Sequence, residues 1–572
     1  MKLIRLKITD KVRFRSLDFD FEIKFHNQWD SSFARVFEPY CFAGNNGSGK
    51  SNVLEALAAI FFHLDCCFNR DLPDGFIFDE MNNHRGFRSS KCNPDAFELE
   101  YLFPIPEESI SQKDVSKDKI GHIKVVKELD SEPTFTWVNS IDFTDFDQLI
   151  LISIEAEKFL PKKVIGYSSG ENEILSLPFF KMKFLQYDEY LDKLKKDDFY
   201  GQTPNGRLIY IDNQLNQAVL LSILLLENPD NFQIWEDKIG LQGVNEFRII
   251  IAHNHYENID EDTFLSLKKD ERKSHMNTTI ELTTKLKPTI DKFKYCASTY
   301  GTVYLYPDGE IEPKEYLYLD FKVNDSTKKA FKSYFYSPLE LFEAFQILFT
   351  LNSYIINEAT RKRVYRSKNI YLNKEELPVP FDEERITRFK NFELSIKDVN
   401  EIVYTKSLSD GEHQLIHALG ISLLYKDYPC LFLFDEPETH FNQQWRSEFM
   451  SIIRSSLNKG KAKNQLRDML ITTHSAYLIS DTIESNVLIF KKVNGVATCS
   501  RPKFNTFGAS INKISIEAFG SPITIGKHAL SIMEEINTRF EGGENRETLI
   551  FELENRLGDS VEKTFLMHKI EK

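Results

Sequence analysis

Eight residues near the start of the chain have the types and spacing of a phosphate cradle: Gly44, Asn45, Asn46, Gly47, Ser48, Gly49, Lys50 and Ser51. Glycines let the backbone curl until several N–H groups point at one place. Lys50 would bring a formal charge to the outer phosphates of a nucleoside triphosphate, and the Ser51 hydroxyl suits Mg2+. Asn52 follows and is grouped with the nucleotide-binding residues. An apolar run at 37–42 precedes the loop, and a stretch rich in helix formers, SNVLEALAAIFF, follows it. Strand, glycine loop and helix is the context that such a cradle needs, with the helix's positive end facing the anion.

Three further sites lie in the second half. The apolar run Leu431-Phe432-Leu433-Phe434 delivers two acids, Asp435 and Glu436. At the carboxyl end of a buried strand, Asp435 would hold Mg2+ through water and Glu436 would polarise an attacking water. In Leu408-Ser409-Asp410-Gly411-Glu412, the Ser409 hydroxyl, the Gly411 N–H and a helix start would form an anion site. A polar helix cap is the plainer alternative there. In Thr472-Thr473-His474-Ser475, His474 stands at the end of a short apolar run.

Taken in order, these motifs resemble those of ABC-type ATPases. LSDGE at 408–412 is similar to the LSGGQ signature, with Asp410 in place of a glycine and Glu412 in place of the glutamine. The resemblance implies that Ser409 and Gly411 cap the γ-phosphate of an ATP bound by a second subunit. It makes His474 a switch histidine that contacts that phosphate, and 438–442 a loop that crosses a head-to-tail dimer. The wording EPETHFN at 436–442 resembles the SMC, RecF and OLD-like branch more than transporter subunits. For the glutamine that touches Mg2+ in such proteins, Gln148 and Gln186 stay open as alternatives. A narrower likeness lies in VIGYSSGENE at 164–173, LSLPFF at 175–180, QYDEY at 186–190 and TFGAS at 506–510. These resemble the PtuA-like ATPases of Septu-type and retron-associated anti-phage systems. That likeness implies an ATP-driven sensor or regulatory subunit controlling an HNH-type nuclease, with a reverse transcriptase and its DNA–RNA product as further partners in retron-linked cases. YSSGE at 167–171 imitates a second signature, but no acidic strand follows it.

The elements that must position these residues read as an α/β fold. Together with the motif resemblance they imply a P-loop NTPase of the ABC type, with a mostly parallel sheet, flanking helices and a large mixed α+β insert. Residues 1–64 carry the phosphate loop. Residues 65–400 hold the rest of the first lobe and an inserted region for dimer or partner contacts. Residues 401–500 carry the signature, the acids and the histidine, and 501–572 form a helical partner-binding tail. Period-two runs predict strands at 3–8, 17–21 and 97–103. A long apolar helix is expected over 339–357, and further helices over 214–227 and 415–424.

Composition narrows the function. The 572 residues are 41% hydrophobic, enough for a large core. A net charge of −14 excludes coating of nucleic acid by bulk charge, so contact would need local patches. Two are present: 361–366 (RKRVYR), and Lys459, Lys461, Lys463 with Arg467. The seven cysteines form no C-x-x-C pair and suit a reducing compartment. The chain reads as cytoplasmic, without a membrane partner. It offers no clustered acids for a Toprim nuclease; Glu541 and Asp559 stand in unsuitable surroundings, and His253-Asn254-His255 imitates a nuclease motif by chance. The expected activity is Mg2+-dependent ATP hydrolysis by a homodimer or higher oligomer. A RecF- or SMC-like repair ATPase and an ATP-locked assembly scaffold are the alternatives.

Overall fold

The run CLFLFD forms a strand, Cys430–Asp435, in which every residue is buried. Such a strand needs neighbours on both edges and cover on both faces. It has both in a seven-stranded sheet. We number its strands β1 (Tyr40–Gly44), β2 (Lys163–Ser168), β3 (Leu208–Tyr210), β4 (Cys430–Asp435), β5 (Asp468–Thr473), β6 (Val487–Val493) and β7 (Val496–Ser500). Their spatial order is β7-β6-β1-β5-β4-β2-β3. All pairings are parallel except β6 with β7. The structure is a computed structural model. It describes residues 1–26, 35–69, 72–73, 75–110, 118–169, 175–195, 206–227, 229–253, 255–258, 279–306, 314–368, 377, 384–458, 465–520 and 525–571.

Alternate residues of each central strand enter opposite cores, as a period of two requires. Phe432 and Phe434 of β4 join the core that contains the helices Asp410–Leu424 and Gln443–Leu457. Leu431 and Leu433 join the one that contains the helix Lys50–Phe68. By length and composition that helix could cross a membrane, yet 61% of its apolar window is buried inside the fold.

Two further sheets flank the first, and in both every pairing is antiparallel. One runs Glu22–Lys24, Lys2–Ile8, Phe97–Pro104, Ile120–Lys127, Thr134–Trp137, Leu149–Leu151. The other runs Thr299–Leu305, Lys314–Lys322, Leu241–Ala252, Thr387–Ile396, Val403–Tyr404. The expectation of a mostly parallel fold thus holds for the central sheet and fails for the rest. The helices Lys527–Glu541, Arg546–Arg556 and Val561–Glu571 close around a core of their own, with Ile536, Leu549, Leu553 and Ile570 fully buried.

Two elements depart from the periodicity. Residues 17–21 turn instead of extending. Arg15 and Asp20 have φ of 55° and 64°, Phe14 and Leu17 bond each other's backbones, and the strand begins at Glu22. Asp18 and Asp20 favour that turn. The helix expected over 339–357 stops at Thr350. Asn352 exchanges two 2.9 Å hydrogen bonds with the Thr387 backbone, and Asn357 caps a new helix, Glu358–Arg366, bent by 106° from the first. Asparagine side chains here compete with the helical ladder.

Candidate nucleotide site

The phosphate loop leaves β1 and enters the helix Lys50–Phe68. Gly44 and Gly49 have φ of 150° and 102°. A Cβ on Gly44 would lie 2.4 Å from the Phe490 carbonyl oxygen, and one on Gly49 2.6 Å from Ser16 Oγ. Only glycine fits either place. Asn45, Asn46 and Gly47 are exposed at the tip, while Ser48, Gly49 and Lys50 are buried. No side chain caps the helix at Gly49, so its first N–H groups suit an anion.

Lys50 crosses beneath the loop. Its Nζ donates to the carbonyls of Gly44 (2.9 Å) and Asn45 (3.3 Å) and lies 2.9 Å from His474 Nε2. The same ring nitrogen is 3.0 Å from Glu436 Oε1. Beside this chain of contacts, Ser51 Oγ donates to Asp435 Oδ1 at 2.7 Å, and Thr472 Oγ1 donates to the same oxygen. Parallel register explains the Thr472 contact, since Asp435 stands opposite Thr472 across β4 and β5. Glu436 has a left-handed φ of 49°. Its N–H donates to the Thr472 carbonyl and hydroxyl (3.2 and 3.1 Å), and its carbonyl accepts from Ser169 Oγ and Thr439 Oγ1. An unusual dihedral fixed from both sides aims the carboxylate.

Electrostatics follow from burial. The Lys50 ammonium is pushed down to about 8 by desolvation, opposed by Glu436 and Asp435. Burial pushes the Asp435 carboxyl up against its two hydroxyl donors. The hydrogen bond with His474 holds Glu436 below the usual carboxylate range. A phosphate beside Lys50 and a cation beside Asp435 would both favour the charged forms. Ser51 and the two acids form a hard-oxygen set. Among the described residues no group of three or more His, Cys, Asp or Glu could hold a metal without help. Mg2+ fits this place, because it keeps waters and phosphate oxygens and takes one or two protein carboxylates.

The loop, Ser51, Asp435, Glu436 and His474 are therefore brought together. Asn52 bonds elsewhere: its amide donates to Ser16 Oγ at 2.7 Å. Ser409 and Gly411 lie on another turn. Ser409 is exposed and forms a capping box with Glu412, whose Oε2 accepts from Ser409 N and Oγ (2.7 and 2.8 Å). A Cβ on Gly411 would meet the His440 carbonyl oxygen at 2.8 Å, so this turn abuts the loop that follows the acids. Neither glutamine alternative bonds to the cluster among the described residues. Gln148 is exposed before the strand Leu149–Leu151, and Gln186 lies in the helix Leu177–Lys195, in a small cavity lined by Leu208 and Tyr210.

Sequence reasoning gave no role to Thr472, Thr473 or Ser169. A threonine pair before His474 was the available signal. For Ser169, the signal was its place just past a short apolar strand. Residues 170–174 of the signature-like stretch lie outside the described residues, as do Lys459, Lys461 and Lys463. The basic patches change character. Arg361 is buried and pairs with Asp188 at 2.6 Å, and Arg467 is buried and donates to the carbonyls of Lys426 and Leu457. His253 and His255 have ordinary partners, Glu281 at 2.9 Å and the Tyr354 hydroxyl at 3.0 Å.

Glu438 is buried behind the acids and accepts from Thr473 Oγ1. Desolvation pushes its carboxyl up to about 7. Between the ordinary value and 7 the folded chain keeps a proton that the unfolded chain has lost. Stability from this group therefore falls as pH rises through that window. Glu438→Gln should remove the slope, gaining about 3 kcal/mol on the parent between pH 4 and pH 8 at 1.36 kcal/mol per unit. Urea unfolding at both pH values measures it.

A parallel sheet that presents a glycine phosphate loop at the end of β1 and an acid pair at the end of β4, with β5 between them, defines a P-loop ATPase domain. Residues 1–479 match the family described as AAA ATPase domain, and the chain belongs to that family. No curated protein matches the chain. Among solved structures, the chain is similar to an SmcHead crystallised with the C-winged helix domain of ScpA, at 11% identity and TM-score 0.31, covering 87% of this chain and 97% of that one. It is also similar to the SMC head domain from Thermotoga maritima, at 8% identity and TM-score 0.29, covering 88% and 100%.

Proposed function

We propose that this chain is an ABC-type, SMC/RecF-like ATPase head that works as an ATP-driven switch, and that two copies close head-to-tail over bound nucleotide. The contact chain Lys50–His474–Glu436 beside Ser51–Asp435 carries the reading. Lys50 and the backbone of 44–51 would hold the phosphates, and Ser51 with Asp435 would hold Mg2+. The bound nucleotide supplies the anhydride bond whose hydrolysis resets the switch. Glu436 orients and polarises the water, and His474 holds Glu436 in place. Ser409 and Gly411 would complete the site of a second copy, which accords with the exposure of Ser409 at the start of its helix. On the strength of the motif likeness alone, we assign the switch to an anti-phage defence complex. There the inserted region within 65–400 and the tail from 501 would engage an HNH-type nuclease and, in retron-linked complexes, a reverse transcriptase with its DNA–RNA product.

The direct test is Lys50→Ala. It removes the one cation at the centre of the cluster and should weaken ATP binding at least about a hundredfold, more than 2.7 kcal/mol. Calorimetric titration with Mg2+–ATP reads it. Undiminished affinity would remove the loop from the site.

A further inference from the structure

A cavity of about 600 Å3 lies along the middle of the helix Lys50–Phe68, where Glu55, Ala59, Phe62 and His63 form one wall. The others are the segment 10–15, the turn at 75–93, the start of the helix Leu177–Lys195 and the end of the helix Glu358–Arg366 with the residues after it. None of residues 44–51 lines it. The volume is that of small-molecule sites. Eight lysines and arginines line it against three carboxylates, in a chain whose net charge is −14.

The carboxylates are already occupied. Glu55 pairs with Arg15 at 2.8 Å, Asp95 with Lys127 at 2.7 Å, and Asp10 accepts the N–H groups of Val12 and Asp95. Arg85 and Lys368, in contrast, have no ion pair among the described residues. The wall that carries Arg85 is bolted in place. Buried Asn83 donates to the carbonyls of Gly75 (3.0 Å) and Ile77 (2.8 Å) and accepts from Arg366 at 2.8 Å. Part-exposed aromatic rings adjoin the cations: Phe87 stacks at 5.3 Å on buried Phe76, and Tyr365 meets Phe76 edge-on. The basic run 361–366 thus divides its work. Arg361 anchors the helix through Asp188, while Lys362 and Arg366 face the cavity.

We propose that this cavity binds a nucleoside phosphate, either a free nucleotide or the phosphorylated end of a single strand. Guanidinium and ammonium groups take the phosphate, and the part-exposed rings of Phe87 and Tyr365 take the base. The site is separate from the phosphate loop and does not depend on what that loop binds.

The test uses the full chain carrying Lys50→Ala, so that the loop contributes no binding. A labelled, 5′-phosphorylated oligothymidylate is titrated by fluorescence anisotropy, and thymidine monophosphate is added as competitor. Binding should persist in Lys50→Ala and weaken at least about tenfold when Arg85→Glu and Lys368→Glu are added, with a shallower salt dependence. Among the described residues these two side chains bond no other group, and Arg85→Gln with Lys368→Gln gives the milder loss. Competition by the monophosphate identifies a free nucleotide as the ligand, and its failure to compete identifies a strand end. The proposal is overturned if neither probe binds Lys50→Ala, or if charge reversal leaves the affinity unchanged.

Discussion

Glu436→Gln should hydrolyse ATP about a hundredfold to a thousandfold more slowly than the parent while still binding it. The substitution keeps the shape of the side chain and a partner for His474 Nε2, which lies 3.0 Å away. The backbone that aims it is fixed independently, through the Thr472 bonds to the Glu436 N–H and the Ser169 bond to its carbonyl. What the amide loses is the charge that polarises water. Lys50 keeps its contacts with Gly44 and His474, so the phosphates keep their cation. Nucleotide should therefore accumulate in the closed state, and size-exclusion chromatography with Mg2+–ATP should show a persistent dimer. Hydrolysis at the parental rate would move the base elsewhere. A stalled enzyme that stays monomeric would retain Glu436 as base and remove the head-to-tail closure.

The chemistry was legible in the sequence where it is local in sequence. The phosphate loop spans eight residues and the acid pair ends an uninterrupted apolar strand, so both announce themselves without long-range knowledge. Their meeting was not legible. Ser51 and Asp435 touch because β4 and β5 are inserted beside β1, and only the sheet order states that. Gly44 illustrates the same limit. Its φ could be expected from the loop, but the Phe490 carbonyl that forbids a Cβ comes from the far end of the chain. Ser169 was missed because a serine past a strand carries no distinctive pattern until register sets it against Glu436.

Charge misled in a different way. Arg361 and Arg467 read as members of local basic patches at the surface, because arginine is seldom fully buried. Here each is 5% exposed or less and bonds inward, to Asp188 and the Ile356 carbonyl in one case and to two backbone carbonyls in the other. Period-two alternation found the strand at 97–104 without saying which way its neighbours run. The antiparallel sheets were therefore hidden inside a correct α/β assignment.

Asp468→Ala should cost about 3–5 kcal/mol of stability, the range for a buried ion pair stripped of one partner. Asp468 opens β5 and is fully buried. One carboxylate oxygen faces Lys2 Nζ at 3.0 Å, and the other accepts the Leu3 N–H at 2.6 Å. Alanine would leave a buried ammonium and a buried N–H without partners, and each is costly alone. The pair also joins distant parts of the chain: Lys2 begins the first antiparallel strand, and Asp468 begins the strand that leads to Thr472 and His474. Loosening it should loosen the Asp435 pocket as well. Urea unfolding gives the stability, and ATP titration well below the midpoint gives the site. Replacing both partners, Lys2→Met with Asp468→Leu, should recover most of the loss, since no charge is then stranded. If the double variant is as unstable as Asp468→Ala alone, the Leu3 N–H and the packing around it matter more than the charge pair. If Asp468→Ala is as stable as the parent, the two ends of the head are held by their apolar cores without this bridge.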